Sequence, residues 1–217
     1  MHKKADIFIP NHEGPSTKGI HILSICDMRS NRAQTLSEKI EAVARERLEL
    51  NRLRDLKLRS QEELQRLFNE QWQKYHYFLQ QLNSGFLLRR LVVENITTTA
   101  GRTVIAQRLS GTTTYTGVVN YGTVGTGTTA PAVGQTQLVA ETYRKALSSG
   151  TNAANIAYLE NFYTATEVSG TLEEFGFVID GTGSANTGQM FNRFTQTVVK
   201  SVTESLNVQS SITINDA

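Results

Sequence analysis

The chain has 217 residues, of which 39% are apolar, and a formal net charge of +2. This length suits one domain with an extension, or two small domains. No apolar run approaches the roughly 18 residues of a membrane-spanning helix, and glutamates balance the arginines, which argues against a nucleic-acid-binding stripe. Cys26 is the only cysteine, which excludes an intrachain disulfide and a thiolate metal cluster within one chain.

Residues 1–32 are predicted to form an extended docking arm. Prolines and glycines divide the segment into two short apolar patches, neither of which could form a core alone. The first patch is too short for the core of a signal peptide, so we expect a protein made in a cytoplasm. The alternatives are a mobile arm or one that adds to a neighbouring chain, and the β-forming residues favour docking. The predicted docking residues are Ile7, Phe8, Ile9, Ile20, Ile22 and Leu23.

Residues 33–84 are predicted to form a helical stalk. No proline or glycine occurs between Ala33 and Asn83, and a long helix with a narrow apolar stripe needs a partner. We expect a coiled-coil or bundle seam between identical chains. The alternative is a break near Asp55 or Ser60, which would give a two-helix hairpin packed on the C-terminal domain of the same chain. The predicted seam residues are Leu64, Leu67, Phe68, Trp72, Tyr75, Phe78, Leu79 and Leu82.

Residues 85–217 are predicted to form a Thr/Gly-rich β-sandwich domain. The part from residue 86 onward holds 13 of the 16 glycines but only 17 of the 42 charged side chains. Alternating apolar runs at 156–162, 175–179 and 206–214 are separated by turn residues, a pattern typical of an antiparallel sandwich. One helical interruption is expected over 137–147. The predicted fold class is therefore α+β, with a long N-terminal helix followed by an antiparallel β-sandwich domain.

The sequence predicts no catalytic, cofactor-binding or metal-ligating residues. The glycine-rich run 122–127 lacks the Lys-Ser/Thr ending of a phosphate-binding loop. Three of the four histidines fall in the predicted arm and His76 on the predicted helix, which leaves none in the β-domain for a catalytic triad or a zinc site. Glu173 and Glu174 are adjacent, so on a strand they would face opposite sides and could not act as a carboxylate pair. We therefore expect a protein that is not an enzyme.

The β-domain carries an ordered series of short segments. The run GTVGTGTTAP at 122–131 is followed by QLVAETYRKA at 137–146, by GTLEEFG at 170–176, by MFNR at 190–193 and by alternating residues to Ile214. In order and spacing these segments resemble a pattern in tail and appendage proteins of tailed bacteriophages. The resemblance covers about residues 122–214 and leaves out the arm and the helical segment. It implies assembly around the tail, baseplate or neck, and it implies no catalytic residues.

The resulting hypothesis is a structural component of a tailed-phage virion, in the tail, baseplate or neck/collar appendage, that anchors or forms a fibre. Its expected partners are other virion proteins and further copies of itself, as a homotrimer by analogy with phage fibres, after assembly in the host cytoplasm. No nucleic acid and no membrane span are expected. The alternative is a receptor- or glycan-binding tip that contacts a host surface receptor. The aromatic candidates for such a tip are Tyr115, Tyr121, Phe162 and Tyr163.

Overall fold

The computed structural model describes residues 19–214, which form ten strands and three helices. The strands are β1 (Gly19–Asp27), β2 (Leu87–Glu94), β3 (Ile96–Thr97), β4 (Val119–Gly125), β5 (Glu141–Ala146), β6 (Ser149–Ala153), β7 (Ile156–Tyr163), β8 (Gly170–Ile179), β9 (Gln189–Lys200) and β10 (Glu204–Thr213). The helices are α1 (Asn31–Asp55), α2 (Gln61–Phe86) and α3 (Thr99–Ser110). Ile7, Phe8 and Ile9 of the predicted docking arm lie outside the described residues.

The strands pair into two five-stranded antiparallel sheets. Sheet one has the order β2-β1-β10-β7-β6, and sheet two has the order β3-β9-β8-β4-β5. Because successive side chains of a strand point to opposite faces, each sheet directs alternate apolar side chains toward the other sheet. The resulting core includes Leu23 and Ile25 from β1, Phe175 and Phe177 from β8, and Phe194 from β9.

β1 is an inner strand of sheet one. It pairs with β2 along one edge, from Ile20 opposite Glu94, and with β10 along the other edge, from Gly19 opposite Ile212. The structure therefore corrects the predicted docking arm over this part of the chain. Ile20, Ile22 and Leu23 lie in a strand whose two hydrogen-bonding edges are both paired within the same chain.

The predicted helical stalk is wrong, and so is the fold class built on it. α1 and α2 are separate helices that pack against each other as a hairpin, as the alternative break near Asp55 or Ser60 would give. The hairpin is inserted between β1 and β2 and lies on sheet one. A sandwich of two antiparallel sheets with a docked helical hairpin replaces the long N-terminal helix followed by a separate β-domain.

The break between the helices has a local cause. Lys57 adopts a φ of 55°, which lies outside the right-handed helical region and stops α1. Ser60 has extended backbone, and its hydroxyl accepts a hydrogen bond from the Glu63 amide at 3.1 Å. Glu62 and Glu63 also place negative charge in the first turn of α2, where the helix dipole favours it. The sequence therefore ends one helix and begins the next within a few residues.

The apolar stripe predicted as a seam between chains is largely buried by contacts within one chain. Tyr75, Leu79 and Leu82 are buried with Ile40 and Phe162 in a cluster between the hairpin and sheet one. Because these contacts cover the stripe, it does not require a helix from another copy. The remaining predicted seam residues are the buried Leu64 and the half-buried Leu67, Phe68, Trp72 and Phe78.

A third helix lies where the sequence did not predict one. Residues 137–147, expected to be helical, contain β5 instead, and α3 lies earlier in the chain. The Thr98 hydroxyl caps α3 by accepting a hydrogen bond from the Gly101 amide at 3.0 Å. Gly101 also allows α3 to approach sheet two, because a Cβ there would lie 2.8 Å from the Cα of Phe191. Gly111, with a φ of 70°, ends the helix.

One histidine lies inside the core between the sheets. His21 is 0% exposed, and its ring stacks on Phe194 with 3.9 Å between ring centroids. Neither of its ring nitrogens has a hydrogen-bond partner of good geometry among the described residues. Burial lowers the pKa of His21 to about 3, opposed in part by the backbone of Gln209. The imidazole is therefore neutral in the folded protein near pH 7.

We expect a chain that begins at Gly85 to be unfolded, because it lacks β1, which separates β2 from β10 in sheet one. Far-UV circular dichroism and a thermal melt of the purified chain measure this. A matched chain that begins at residue 18 keeps all ten described strands and is expected to fold. A cooperative melt and a β-type spectrum from the chain that begins at Gly85 would contradict the role of β1.

Acid is expected to destabilise the fold through His21. The unfolded imidazole takes up a proton near pH 6.5, whereas the folded one does so only near pH 3. The contribution of His21 to stability is thus full above about pH 6.5 and is lost as the pH falls toward 3, by on the order of 5 kcal/mol at most. Urea denaturation of wild type and His21→Leu, near neutral pH and at moderately acid pH, measures the effect. The variant should lose less stability on acidification, and equal losses would show that His21 is not responsible.

Candidate functional site

A fully buried ion pair lies on the outer face of sheet two. Glu174 on β8 and Arg193 on β9 both have 0% side-chain exposure, with 2.8 Å between Oε2 and Nη2. The Glu174 carboxylate also accepts hydrogen bonds from the amides of Gly127, Val139 and Ala140, at 3.1, 2.9 and 2.6 Å. Burial would raise the pKa of Glu174, but these backbone hydrogen bonds and Arg193 together hold it below its usual range. The carboxylate is therefore ionised at neutral pH.

The same pair fixes the loop between β4 and β5. The Arg193 guanidinium donates to the Thr129 carbonyl at 2.8 Å and to the Gln135 side chain at 2.9 Å. Farther along the loop, Leu138 is buried against Val178 and Met190 on the outer face of sheet two. Residues 126–140, which have no regular secondary structure, are thus attached to the sheet at several points and should form a rigid surface.

Separate segments of the phage-like pattern meet at this ion pair. In chain order they supply Gly127, Ala140, Glu174 and Arg193. Glycine is required at two of the contact points, because a Cβ on Gly125 or Gly127 would lie 2.7 or 2.5 Å from Oε1 of Glu174. The pattern in the sequence therefore corresponds to one packing unit of the fold. Buried charge and close backbone contacts account for its residue types.

A second buried ion pair fixes the loop between β8 and β9. Glu141 and Arg144 are 4% and 3% exposed in their side chains and lie 2.6 Å apart. Arg144 also donates to the carbonyls of Thr182 and Thr187, at 3.1 and 3.2 Å. Both ion pairs thus join a strand of sheet two to a loop at its surface.

Lys145 connects the helical hairpin to sheet two. Its Nζ lies 2.7 Å from the carboxylate of Glu41 on α1 and 2.8 Å from that of Glu167, and it donates to the Phe162 carbonyl at 2.9 Å. Hydrogen bonds from Lys145 help to hold the pKa of Glu167 below its usual range, although burial of that carboxyl acts in the opposite direction. The lysine therefore links α1, β7 and the turn after β7.

Polar side chains also line the contact between α2 and sheet one. The Tyr75 hydroxyl donates to Asn207 at 2.9 Å, and Asn207 donates to the Glu160 carboxylate at 3.2 Å. The imidazole of His76 lies against the same carboxylate. Gln71 donates to two backbone carbonyls, those of Val43 and Ser148, at 3.1 Å each. These bonds fix the position of α2 across the strands, which apolar contact alone would leave adjustable.

The aromatic residues proposed for a glycan-binding tip have different positions. Phe162 and Tyr163 are buried, at 0% and 1% exposed, and Tyr121 packs beside the cluster under the 126–140 loop. Tyr115 is half-buried, and its hydroxyl accepts a hydrogen bond from Gln189 at 2.9 Å. It lines a cleft of about 490 Å³ together with side chains of α3, among them Thr103 and Gln107.

Titratable side chains in residues 19–214 form no group of three or more that could hold a metal ion. Glu173 accepts a hydrogen bond from the exposed Thr197 hydroxyl at 2.7 Å, while Glu174 is buried. The register of β8 shifts between Leu172 and Glu174, so simple strand alternation does not assign these two glutamates to opposite faces. Within the same residues, none of the helices combines the length and the apolar character needed to cross a bilayer.

Comparisons of this chain with protein-family models, with curated proteins and with solved structures gave no match.

Sequence reasoning missed the Glu174–Arg193 pair. The available signal was a charged residue directly before a phenylalanine in each of two apolar segments, Glu174 before Phe175 and Arg193 before Phe194. A charged side chain in such a segment is buried only when it is paired. Such a residue therefore indicates a buried partner, but the sequence alone does not say which residue that partner is.

Glu174→Gln is expected to lower the free energy of unfolding by about 3–5 kcal/mol, because Arg193 then keeps its charge in the interior without a charged partner. Urea denaturation near neutral pH measures the change. Glu173→Gln is the matched control, and its half-buried carboxyl should matter by less than about 1 kcal/mol. Similar small effects of the two substitutions would contradict a structural role for the buried pair.

Proposed function

We propose that this chain is a structural component of a tailed-phage virion, in the tail, baseplate or neck/collar appendage. One observation carries the proposal: the segments that resemble phage tail and appendage proteins meet around Glu174 and Arg193. A rigid scaffold of this kind fits a protein whose role is to assemble.

The use of buried charge supports the same role. Glu174, Arg144 and Lys145 are each engaged by several partners that hold loops or helices in place. Lys200 acts similarly, because its Nζ donates to the carbonyls of Ala165, Glu167 and Val168 at 3.2, 3.1 and 2.7 Å. Side chains with this many structural bonds are poorly suited to exchange protons with a substrate.

The proposal places contacts between virion proteins on surfaces other than the predicted helical seam. Tyr75, Leu79 and Leu82 are buried within their own chain, so the argument for a homotrimer from that stripe no longer applies. Residues 1–18 keep the proposed role of an anchor to a neighbouring virion protein.

A second candidate function is a receptor- or glycan-binding tip. The cleft beside Tyr115 favours it, since the lining combines an aromatic ring with hydroxyl and amide side chains such as Thr103 and Gln189. An aromatic surface with neutral hydrogen-bonding groups around it suits a polar, uncharged ligand such as a sugar. Host attachment would then be the role of the face of α3 that lines this cleft.

Purified particles of the encoding phage test the proposal. After a high-salt wash, the chain should still sediment with the particles, and immunogold labelling should place it at the tail, baseplate or neck. Its absence from washed particles would overturn the proposal. Saturable binding of the purified protein to host cells, lost in Tyr115→Ala and kept in the exposed control Tyr77→Ala, would instead support the attachment role.

A further inference from the structure

A polar cleft lies between α2 and sheet one, on the outer face of that sheet. It has a volume of about 440 Å³, which is within the usual range of small-molecule sites. Among the described residues its lining contains two leucines and no carboxylate. The polar side chains that line it are His76, Gln80, Asn83, Ser84, Arg90 and Gln209. The cleft therefore offers donors, neutral hydrogen-bonding groups and one permanent positive charge.

Arg90 supplies that charge. Leu91 and Val93 pack on the core between the sheets, so by alternation Arg90 points to the outer face, on which α2 lies. Its guanidinium has no hydrogen-bond or ion-pair partner among residues 19–214, whereas that of the adjacent Arg89 donates to the Val199 carbonyl at 2.5 Å. A guanidinium presents a planar set of donors that matches a carboxylate or a phosphate. An oxyanion is therefore the group that suits Arg90.

On α2, His76 faces the same cleft in a fixed orientation. Its Nε2 is enclosed against the carboxylate of Glu160, which is 2% exposed and accepts a hydrogen bond from Asn207. Trp72 stacks on the imidazole, with 4.2 Å between ring centroids. The His76 side chain is 29% exposed, and this exposure belongs to the part of the ring that includes Nδ1. Because an ionised carboxylate only accepts hydrogen bonds, the neutral imidazole carries its proton on Nε2 and keeps a lone pair on Nδ1.

We propose that this cleft binds a hydroxylated oxyanion, either a sugar acid or a sugar phosphate. Arg90 binds the anionic group, and Nδ1 of His76 accepts a hydrogen bond from a hydroxyl of the ligand. The amide and hydroxyl side chains of the lining, such as Asn83 and Gln209, bond to further hydroxyls. The inference depends neither on the virion role nor on the cleft beside Tyr115.

Attachment of α2 to sheet one does not by itself explain the composition of the cleft. It accounts for the contact between His76 and Glu160, but the guanidinium of Arg90 takes no part in it. A neutral ligand fits less well than an anion, because it would remove water from Arg90 without supplying a counter-charge. The ligand is therefore expected to be negatively charged as well as hydroxylated.

Fluorescence of Trp72 reports binding to the full-length protein, since it is the only tryptophan of the chain and stacks on His76. Titration with glucuronate and with glucose 6-phosphate distinguishes a sugar acid from a sugar phosphate, and glucose is the neutral control. At least one of the two anions should give a saturable change with a Kd of about 1 mM or lower. Glucose should bind at least about tenfold more weakly. No saturable change with either anion, or equal binding of glucose, would overturn the proposal.

Arg90→Gln tests the position of the anion. It should weaken binding at least about tenfold and leave the circular dichroism spectrum unchanged, because the guanidinium has no partner in the described fold. Arg102→Gln replaces an exposed arginine of α3 outside the cleft and should bind like wild type. Equal losses in the two variants would show attraction by net charge only. That result, or wild-type binding by Arg90→Gln, would overturn the assignment of Arg90.

A ligand without hydroxyls tests the role of His76. Cyclohexanecarboxylate, or cyclohexyl phosphate if the sugar phosphate is the ligand that binds, keeps the ring and the anion but offers no hydroxyl to Nδ1. Wild type should bind it at least about tenfold more weakly than the matching sugar. His76→Phe keeps an aromatic ring beside Trp72 but has no Nδ1, so its preference for the sugar should be smaller. An unchanged preference in the folded variant would show that His76 does not contact the ligand.

Discussion

The pairing of β1 with β2 and β10 is the constraint on which the rest of the structure depends. α1 begins four residues after β1, and α2 runs directly into β2, so adjacent strands about 5 Å apart hold the two ends of the helical insertion. A continuous helix of that length would reach roughly 84 Å and could not begin and end at neighbouring strands. The chain must therefore turn back near Lys57, and the hairpin must lie on the sheet that holds its ends.

Hydrogen bonds and ion pairs fix the relative positions of the layers of this fold. Apolar contact favours burial of the hairpin and of the 126–140 loop, but it tolerates sliding between packed surfaces. Tyr75 and Gln71 fix α2 on sheet one. Lys145 of β5 fixes α1 against the edge of sheet two, and Glu174 fixes the 126–140 loop on the same sheet. A chain with 39% apolar residues thus combines a modest core with buried polar groups whose partners are specified residue by residue.

Local patterns predicted part of this structure, and long-range pairing decided the rest. Alternation at 156–162 and 175–179 indicated strands that the structure contains as β7 and β8, because period and turn residues act locally. The apolar residues around His21 looked like an arm because their partner strands, β2 and β10, begin 60 or more residues later in the chain. The Glu174–Arg193 site was hidden for the same reason: each charge is unremarkable until its partner is known. The phage-like pattern indicated the segments of that site without indicating their contact.

The sequence separation of the strand pairs has a consequence for biosynthesis. β10 supplies one neighbour of β1, with Gly19 opposite Ile212, so sheet one cannot close until the residues of β10 have left the ribosome. The hairpin, in contrast, is built from contacts within residues 31–86 and can form early, since local contacts cost little loop entropy. During translation the nascent chain therefore carries a helical hairpin whose apolar face stays exposed until sheet one forms. Exposed apolar surface of this kind promotes aggregation, so this is the stage at which we expect a chaperone to matter most.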